Sequence, residues 1–255
     1  MMDCTQDRFL SKIEKAAHVS SRAADFTALS CESDEKKHLL LCASGSVATI
    51  KIPDILKSLS INSKLSIRLI FTRAAAYFLN NYEKERSCLD SLYLFPNVDG
   101  IYLDEDEWAK PWTRGNAMLH IGLRRWADIM VIAPLSANTL AKIATGLADN
   151  LLTSVVRAWD IDGIIRGTSD RKRIIVAPAM NTAMWKHPIT EKQLRTIEYD
   201  WGIDKGSQEK DNQICPGWLE VLRPVKKVLA CGDLGDGAMR EWSEIVKVVE
   251  QRLGL

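Results

Sequence analysis

Short apolar runs recur along this chain, each closed by small or polar residues and each separated from the next by a stretch with helical spacing. Leu39, Leu40 and Leu41 open the first run, which Gly45 closes; "LSIRLIFT" (65–72), "ADIMVIAPL" (127–135) and "KRIIVAPAM" (172–180) repeat the pattern. A run that is apolar at successive positions, rather than alternating, predicts a strand buried on both faces, as in a parallel sheet. "GIYLDEDE" (100–107) begins like a strand and ends acidic. Helical patterns follow or precede these runs: "KIPDILKSL" with Pro53 as its start or kink, "RAAAYFLNNY", "NAMLHIGLRRWA", and the long "SANTLAKIATGLADNLLTSVVRAW". Strands alternating with helices predict an α/β fold, a doubly wound parallel sheet with helices on both faces. Residues 80–100 and 200–218 carry no clean period and read as loops or insertions. No internal repeat is visible. Residues 1–36, polar and mixed in charge, read as a loose extension with at most a short helix over 9–17, and 37–255 as one domain.

Composition narrows the class without naming a chemistry. Thirty-four basic and 33 acidic residues leave a formal charge of +1, which offers no electrostatic footprint for nucleic acid or an anionic membrane. No apolar run approaches the roughly 18 to 20 residues of a spanning helix, and the start "MMDCTQDRFLSKIEK" lacks the apolar centre of a signal peptide. Six scattered cysteines, with no CxxC pair or His/Cys cluster, argue against a disulfide framework and a zinc site. The expectation is a soluble, cytoplasmic protein with reduced thiols and no metal.

In parallel α/β sheets ligands gather at the carboxyl ends of the strands, where helix N-termini point unpaired N–H groups. Four such ends carry unusual content: "ASGS" (43–46), "FTRAA" (71–75), "APLSANT" (133–139) and "APAMNTAMW" (177–185). Gly45 and Ser46 would suit a phosphate, although a Ser-Gly turn is commonplace and the GxGxxG spacing of a dinucleotide fold is absent. Ser136 reads equally as the N-cap of the helix after it or as a ligand contact beside Asn138. "APLSANT" and "APAMNTAMW" repeat one theme, Ala-Pro at a strand end shortly before Asn-Thr, which suggests two strand ends lining one crevice. Asn181 then either ends a packed strand or meets a ligand. His120, in "MLHIGLRRW", reads by pattern more readily as a structural histidine than as a catalyst. "LACGDLGDGAM" (229–239) sets Cys231 among three glycines; it is either an incidental surface thiol or the thiol of a mobile lid.

Taken in order, "ASGSVATIK", "DEDEW", "LHIGLRRWADIMVIAPLSANTLAKIATGLADNLLTSVVRAWD", "VAPAMNTAMWKHP" and "LACGDLGDGAM" resemble the flavin-dependent cysteine decarboxylases, over about residues 37 to 250. The resemblance implies a flavodoxin-like, Rossmann-like fold that binds FMN, and a homotrimer with active sites between subunits. It implies flavin contacts at Gly45, Ser46 and Val47, at Thr72, Arg73, Ala74 and Ala75, and at Ser136, Ala137, Asn138, Thr139 and Leu140. It assigns proton handling to His120 and proton donation to Cys231, and puts Asn181, Met180 and Ala230 against the substrate, with Asn181 on its carboxylate. The implied reaction is decarboxylation of phosphopantothenoylcysteine, a small molecule, in coenzyme A biosynthesis. Loss of CO₂ directly from a cysteine carboxylate leaves a poorly stabilised carbanion. Passing the neighbouring CH₂–SH through a thioaldehyde gives those electrons a sulfur to flow onto, as an enethiolate that is then reduced.

The chain departs from the family pattern at several points. Ala74 and Ala75 stand where relatives place hydroxyls, Val228 stands where relatives carry a basic residue with Lys226 and Lys227 shifted beside it, and Arg240 replaces a small residue. The family also contains peptidyl-cysteine decarboxylases and phosphatase-inhibitory relatives with acidic tails; "ACGD" and the presence of His120, Asn181 and Cys231 on one polypeptide favour the small-molecule enzyme.

Overall fold

The apolar runs form the sheet they predict, in an order that divides the molecule at one point. In the computed structural model the described residues are 34–80, 89–109, 111, 113–114, 117–165, 171–203, 217–228 and 234–255. Strands β1 (Lys37–Ala43), β2 (Leu65–Phe71), β3 (Val98–Tyr102), β4 (Ile129–Leu135), β5 (Arg173–Pro178) and β6 (Leu219–Val221) lie in the order β3-β2-β1-β4-β5-β6, and every pairing is parallel. The chain winds outward from β1 in one direction and from β4 in the other. β1 and β4 therefore meet at the switch point where such sheets open a crevice.

Each strand feeds two cores. Leu39, Leu41 and Ala43 of β1 join the face covered by α1 (Ile52–Leu59), α2 (Arg73–Asn80) and α8 (Trp242–Leu253). Leu40 and Cys42 join the opposite face, under α3 (Leu119–Trp126), α4 (Ala137–Thr145), α5 (Leu151–Arg157) and α7 (Pro188–Arg195). All seven residues of β2 and of β4 are buried. Burial on both faces is the physical content of the apolar run of β4, whereas β2 also buries Ser66, hydrogen-bonded to Asp99, and Arg68, stacked over Trp126. Pro53 sits in the first turn of α1, where its missing N–H costs nothing.

Several expectations change. The stretch 136–159, read as one helical pattern, is two helices. Gly146 ends α4 in the left-handed region at φ 79°, and Asn150 starts α5 by accepting the Thr153 N–H at 2.9 Å. Residues 89–94 form a 3₁₀ turn and Val98–Tyr102 a strand, so 80–100 is not simply loop, while "DEDEW" is a 3₁₀ turn over Asp104–Trp108. Within the segment read as a glycine loop, Leu234–Ala238 is a strand, β8, antiparallel to β7 (Val225–Val228). Glycine has low strand propensity, yet here the approach of another backbone demands it. A Cβ on Gly237 would stand 2.3 Å from the Met180 carbonyl oxygen. The helix considered over 9–17 and most of the 200–218 stretch lie outside the described residues.

The strand ends are tied to one another in series. Thr72 N–H donates to the Ala43 carbonyl at 3.1 Å, Ser44 N–H to Pro134 at 3.0 Å, Ala179 N–H to Leu135 at 2.9 Å, and Met180 N–H to Gly237 at 3.0 Å. Ser44, fully buried, adds its side chain: the hydroxyl donates to the Pro134 carbonyl at 3.1 Å and accepts the Ser136 N–H at 2.8 Å. Replacing Ser44 with Ala leaves the Ser136 N–H buried without that acceptor. The expected cost is about 1–3 kcal/mol, read as a lower urea midpoint at unchanged slope, and a midpoint equal to the wild type would show the link to be dispensable.

Candidate functional site

All five loops at the carboxyl ends of β1 to β5 reach one cleft of about 860 Å³, within the ordinary range of ligand sites. β1 contributes Gly45, Ser46 and Val47; β2 contributes Thr72, Arg73 and Ala74; β4 contributes Ser136, Ala137, Asn138 and Thr139; β5 contributes Met180 and Asn181. The paired loops expected from their shared Ala-Pro theme thus do line one crevice.

Three of these loops begin helical turns, and in each a hydroxyl takes one of the unpaired N–H groups. Ser46 Oγ accepts the Ala48 N–H at 3.4 Å, Thr72 Oγ1 the Ala75 N–H at 3.3 Å, and Ser136 Oγ the Thr139 N–H at 3.3 Å. Ser136 is accordingly an N-cap that also faces the cleft, so the two readings of it are compatible. Leu140 and Ala75 are fully buried in the cores and do not line the cleft; Leu140 gives its N–H to the Ser136 carbonyl at 2.9 Å. A Cβ on Gly45 would stand 2.7 Å from the Ala74 methyl. The first two loops are therefore in close contact, and a small residue at 74 suits its neighbour.

Asn181 is the N-cap of α6 (Thr182–Lys186). Its Oδ1 accepts the Met184 N–H at 2.8 Å, which leaves the NH₂ as the hydrogen-bonding end available to a ligand in the cleft. The Gly237 backbone packs behind Met180, so the β7–β8 pair buttresses this loop. Cys231 and Ala230 fall between β7 and β8 in the chain and lie outside the described residues. Arg240, just past β8, lines the cleft and pairs with Glu244 at 3.2 Å.

Sequence reading missed Asp104, which lies on the cleft wall beyond β3. Its carboxylate accepts the Leu151 N–H at 3.1 Å and the Arg73 N–H, joining the starts of α5 and α2; burial, the largest influence, raises its pKa above the usual carboxylate value. The acidic "DEDEW" was the signal, but nothing in it marks which carboxylate turns inward. Lys142 and Asp149, paired at 2.7 Å, and Asn150 complete that wall. Val47, Ala48, Ile50, Phe78, Met184, Met239 and Trp242 supply its apolar surface.

His120 is not among the residues lining this cleft. It is the second residue of α3, its ring about one-fifth exposed, with Nδ1 at 2.8 Å from Glu107 Oε1. Among the described residues no group of His, Cys, Asp or Glu is arranged to hold a metal, and no helix is long and apolar enough to cross a membrane.

Comparison with known proteins converges on one family. The chain is 44% identical over 214 residues to phosphopantothenoylcysteine decarboxylase of Oryza sativa subsp. japonica, a match covering 84% of this chain and 80% of that protein. It is 40% identical over 232 residues to coenzyme A biosynthesis protein 3 of Saccharomyces cerevisiae, covering 87% of this chain but 34% of that longer protein. Among solved structures, a cysteine-to-serine variant of PPC decarboxylase complexed with pantothenoylaminoethenethiol superposes with a TM-score of 0.67 at 40% identity, over 86% of this chain and 100% of that one. The FMN-binding protein AtHal3 superposes with a TM-score of 0.63 at 40% identity, over 85% and 96%. The flavoprotein family profile matches residues 28–254. Since that match takes in every loop that builds the cleft, the chain belongs to the flavoprotein family.

Proposed function

We propose that the chain is an FMN-dependent carboxy-lyase that converts phosphopantothenoylcysteine to phosphopantetheine, a step in coenzyme A biosynthesis. The observation that carries this reading is the cleft itself. Three strand-end loops that begin helical turns line it together with Asn181, whose amide oxygen is already held by its own helix. The relatives named as this decarboxylase support the same substrate.

The residues fit a flavin mononucleotide. Gly45, Ser46 and the starts of α2 and α4 would hold its phosphate and ribityl hydroxyls, because helix starts carry partial positive charge and spare N–H donors. Val47, Met184 and Trp242 give an apolar surface for a flat ring. Bound FMN supplies the two-electron acceptor and donor that lets the cysteinyl CH₂–SH pass through a thioaldehyde and return as a thiol.

The protein's own groups handle position and protons. The Asn181 NH₂ orients the substrate carboxylate by hydrogen bonding; a neutral amide stabilises that carboxylate less than an arginine would, so CO₂ leaves more readily. His120 accepts a proton as the substrate is oxidised. The Cys231 thiol donates a proton to the enethiolate carbon during reduction. Because His120 stands away from the cleft of its own chain, it serves the cleft of a second copy, in a homotrimer whose sites lie between subunits. A thiol that must stay free suits the reducing cytoplasm. The catalytic unit spans 37–255, with 1–36 as an extension outside it.

Incubation of purified protein with phosphopantothenoylcysteine should release CO₂ and phosphopantetheine, followed by mass spectrometry; absence of both sinks the assignment. In the same assay His120→Asn should retain FMN yet lose about 10²-fold or more in rate, and Cys231→Ser should release CO₂ while an unreduced enethiol accumulates.

Gly45→Val drives a side chain into Ala74 and spreads the first two loops. Flavin retained after desalting should fall, with about tenfold weaker affinity, while far-ultraviolet circular dichroism stays native. Undiminished flavin would remove these loops from the binding site.

Mixing denatured His120→Asn and Asn181→Ala chains and refolding them together should restore part of the activity, since some interfaces then combine an intact cleft with an intact histidine. No recovery in a demonstrably mixed oligomer would show that each site draws on one chain.

A further inference from the structure

The acidic turn "DEDEW" holds a group that the chemistry above does not use. Glu107 is on that turn, its side chain only 4% exposed, and both of its carboxylate oxygens are directed at His120. Oε1 lies 2.8 Å from the imidazole Nδ1, and Oε2 accepts the His120 backbone N–H at 3.0 Å. Met118, the N-cap of α3, makes no side-chain capping bond. Glu107 therefore caps the helix from outside and grips the ring of its second residue with the same carboxylate.

We propose that Glu107 is the positioning residue of His120, fixing the ring in the tautomer with hydrogen on Nδ1 and a bare Nε2 facing outward as the proton acceptor. The inference rests on His120 being the base of the proposed reaction. An ionised carboxylate only accepts hydrogen bonds, so a neutral imidazole beside it must place its hydrogen on Nδ1. The backbone bond fixes the carboxylate's rotation, and thereby the plane of the ring. A carboxylate that sets tautomer and ring plane in this way leaves one defined nitrogen, Nε2, as the acceptor. The ring's partial exposure leaves Nε2 a route to a ligand held by another chain.

The substitution Glu107→Gln separates this role from mere packing. A glutamine of the same shape has one acceptor and one donor end, and it faces two donors. The backbone N–H cannot change, so the glutamine oxygen stays on it and the NH₂ turns toward Nδ1. The ring answers by moving its hydrogen to Nε2, which can then no longer accept a proton.

Long-range proton–nitrogen spectra of protein labelled at its histidine nitrogens test this directly, with the His120 signals assigned by their loss in His120→Asn. The wild type at a pH where the ring is neutral should show hydrogen on Nδ1, and Glu107→Gln should show it on Nε2. Turnover in Glu107→Gln should fall at least tenfold in kcat, with KM and bound FMN near wild-type values. A wild-type ring carrying hydrogen on Nε2 overturns the proposal, as does a tautomer or kcat that Glu107→Gln leaves unchanged. A fully active His120→Asn instead removes the histidine from the mechanism while leaving the tautomer measurement intact, so the two failures are distinguishable. If Glu107→Gln does not fold, the wild-type spectrum alone decides.

Discussion

The series of hydrogen bonds between neighbouring strand ends is the constraint on which the site depends. A parallel sheet delivers all its carboxyl ends to one edge, but sheet pairing stops at Ala43, Phe71, Leu135 and Pro178, and beyond those points nothing regular holds the loops together. Here each loop borrows a bond from the next: Thr72 from Ala43, Ser44 from Pro134, Ala179 from Leu135, Met180 from Gly237. Ser44 is the middle link. It spans the switch point between β1 and β4 with its backbone and its hydroxyl, and it orients the N-cap Ser136 through the Ser136 N–H. Loops fixed to one another can hold donors at set positions with no ligand to organise them, which lowers the ordering cost of binding.

Carboxylates perform the same task in the turn that follows β3. Asp104 accepts from the starts of α5 and α2, Asp106 closes its own turn on the Leu103 N–H at 2.7 Å, and Glu107 takes the start of α3. Each meets the partial positive charge and open N–H groups of a helical turn. An acidic cluster that resembles a solvated surface stretch thus sets the relative positions of three helices. Buried Lys172 completes the arrangement from the other end of α3, donating to the Arg124 carbonyl at 3.0 Å, to Arg125 at 2.9 Å and to Ala127. The helix that carries His120 is therefore held at both ends by charged side chains of opposite sign, each matched to the dipole it meets.

The cleft and the histidine divide the proposed chemistry. A cleft lined by N–H donors, an oriented amide and an apolar surface can bind and align, but it needs a proton acceptor to complete an oxidation. His120 has its acidic partner and a partly exposed ring, yet among the described residues it does not line the cleft. In the proposed homotrimer a shared site would join the two halves. Such a site would also give a reason for the ring to be fixed by its own subunit: an imidazole offered across an interface could not depend on the neighbour's substrate to choose its tautomer.

The parallel sheet was legible in the sequence because burial on both faces leaves a largely apolar run, and β1, β2, β4 and β5 all fall where those runs lie, with Ser66 and Arg68 as buried polar interruptions in β2. Four strand-end loops were legible as site material for a related reason, since proline, serine and asparagine mark where pairing ends and helices begin. The break at Gly146 and Asn150 was written in the chain too, but a glycine within an apolar period is compatible with a continuous helix, and only packing made it a left-handed cap. β8 was hidden because glycine carries no strand preference; the Met180 carbonyl, which leaves no room for a Cβ, gives Gly237 its purpose. Which carboxylate of "DEDEW" caps which helix, and that His120 faces Glu107 rather than its own cleft, could not be read from order along the chain. Those are contacts between residues 13 and 47 positions apart, and local pattern carries no information about where a buried charge finds its partner. Sequence by itself thus determined the layers and the chemistry available, and the tertiary structure decided which groups meet.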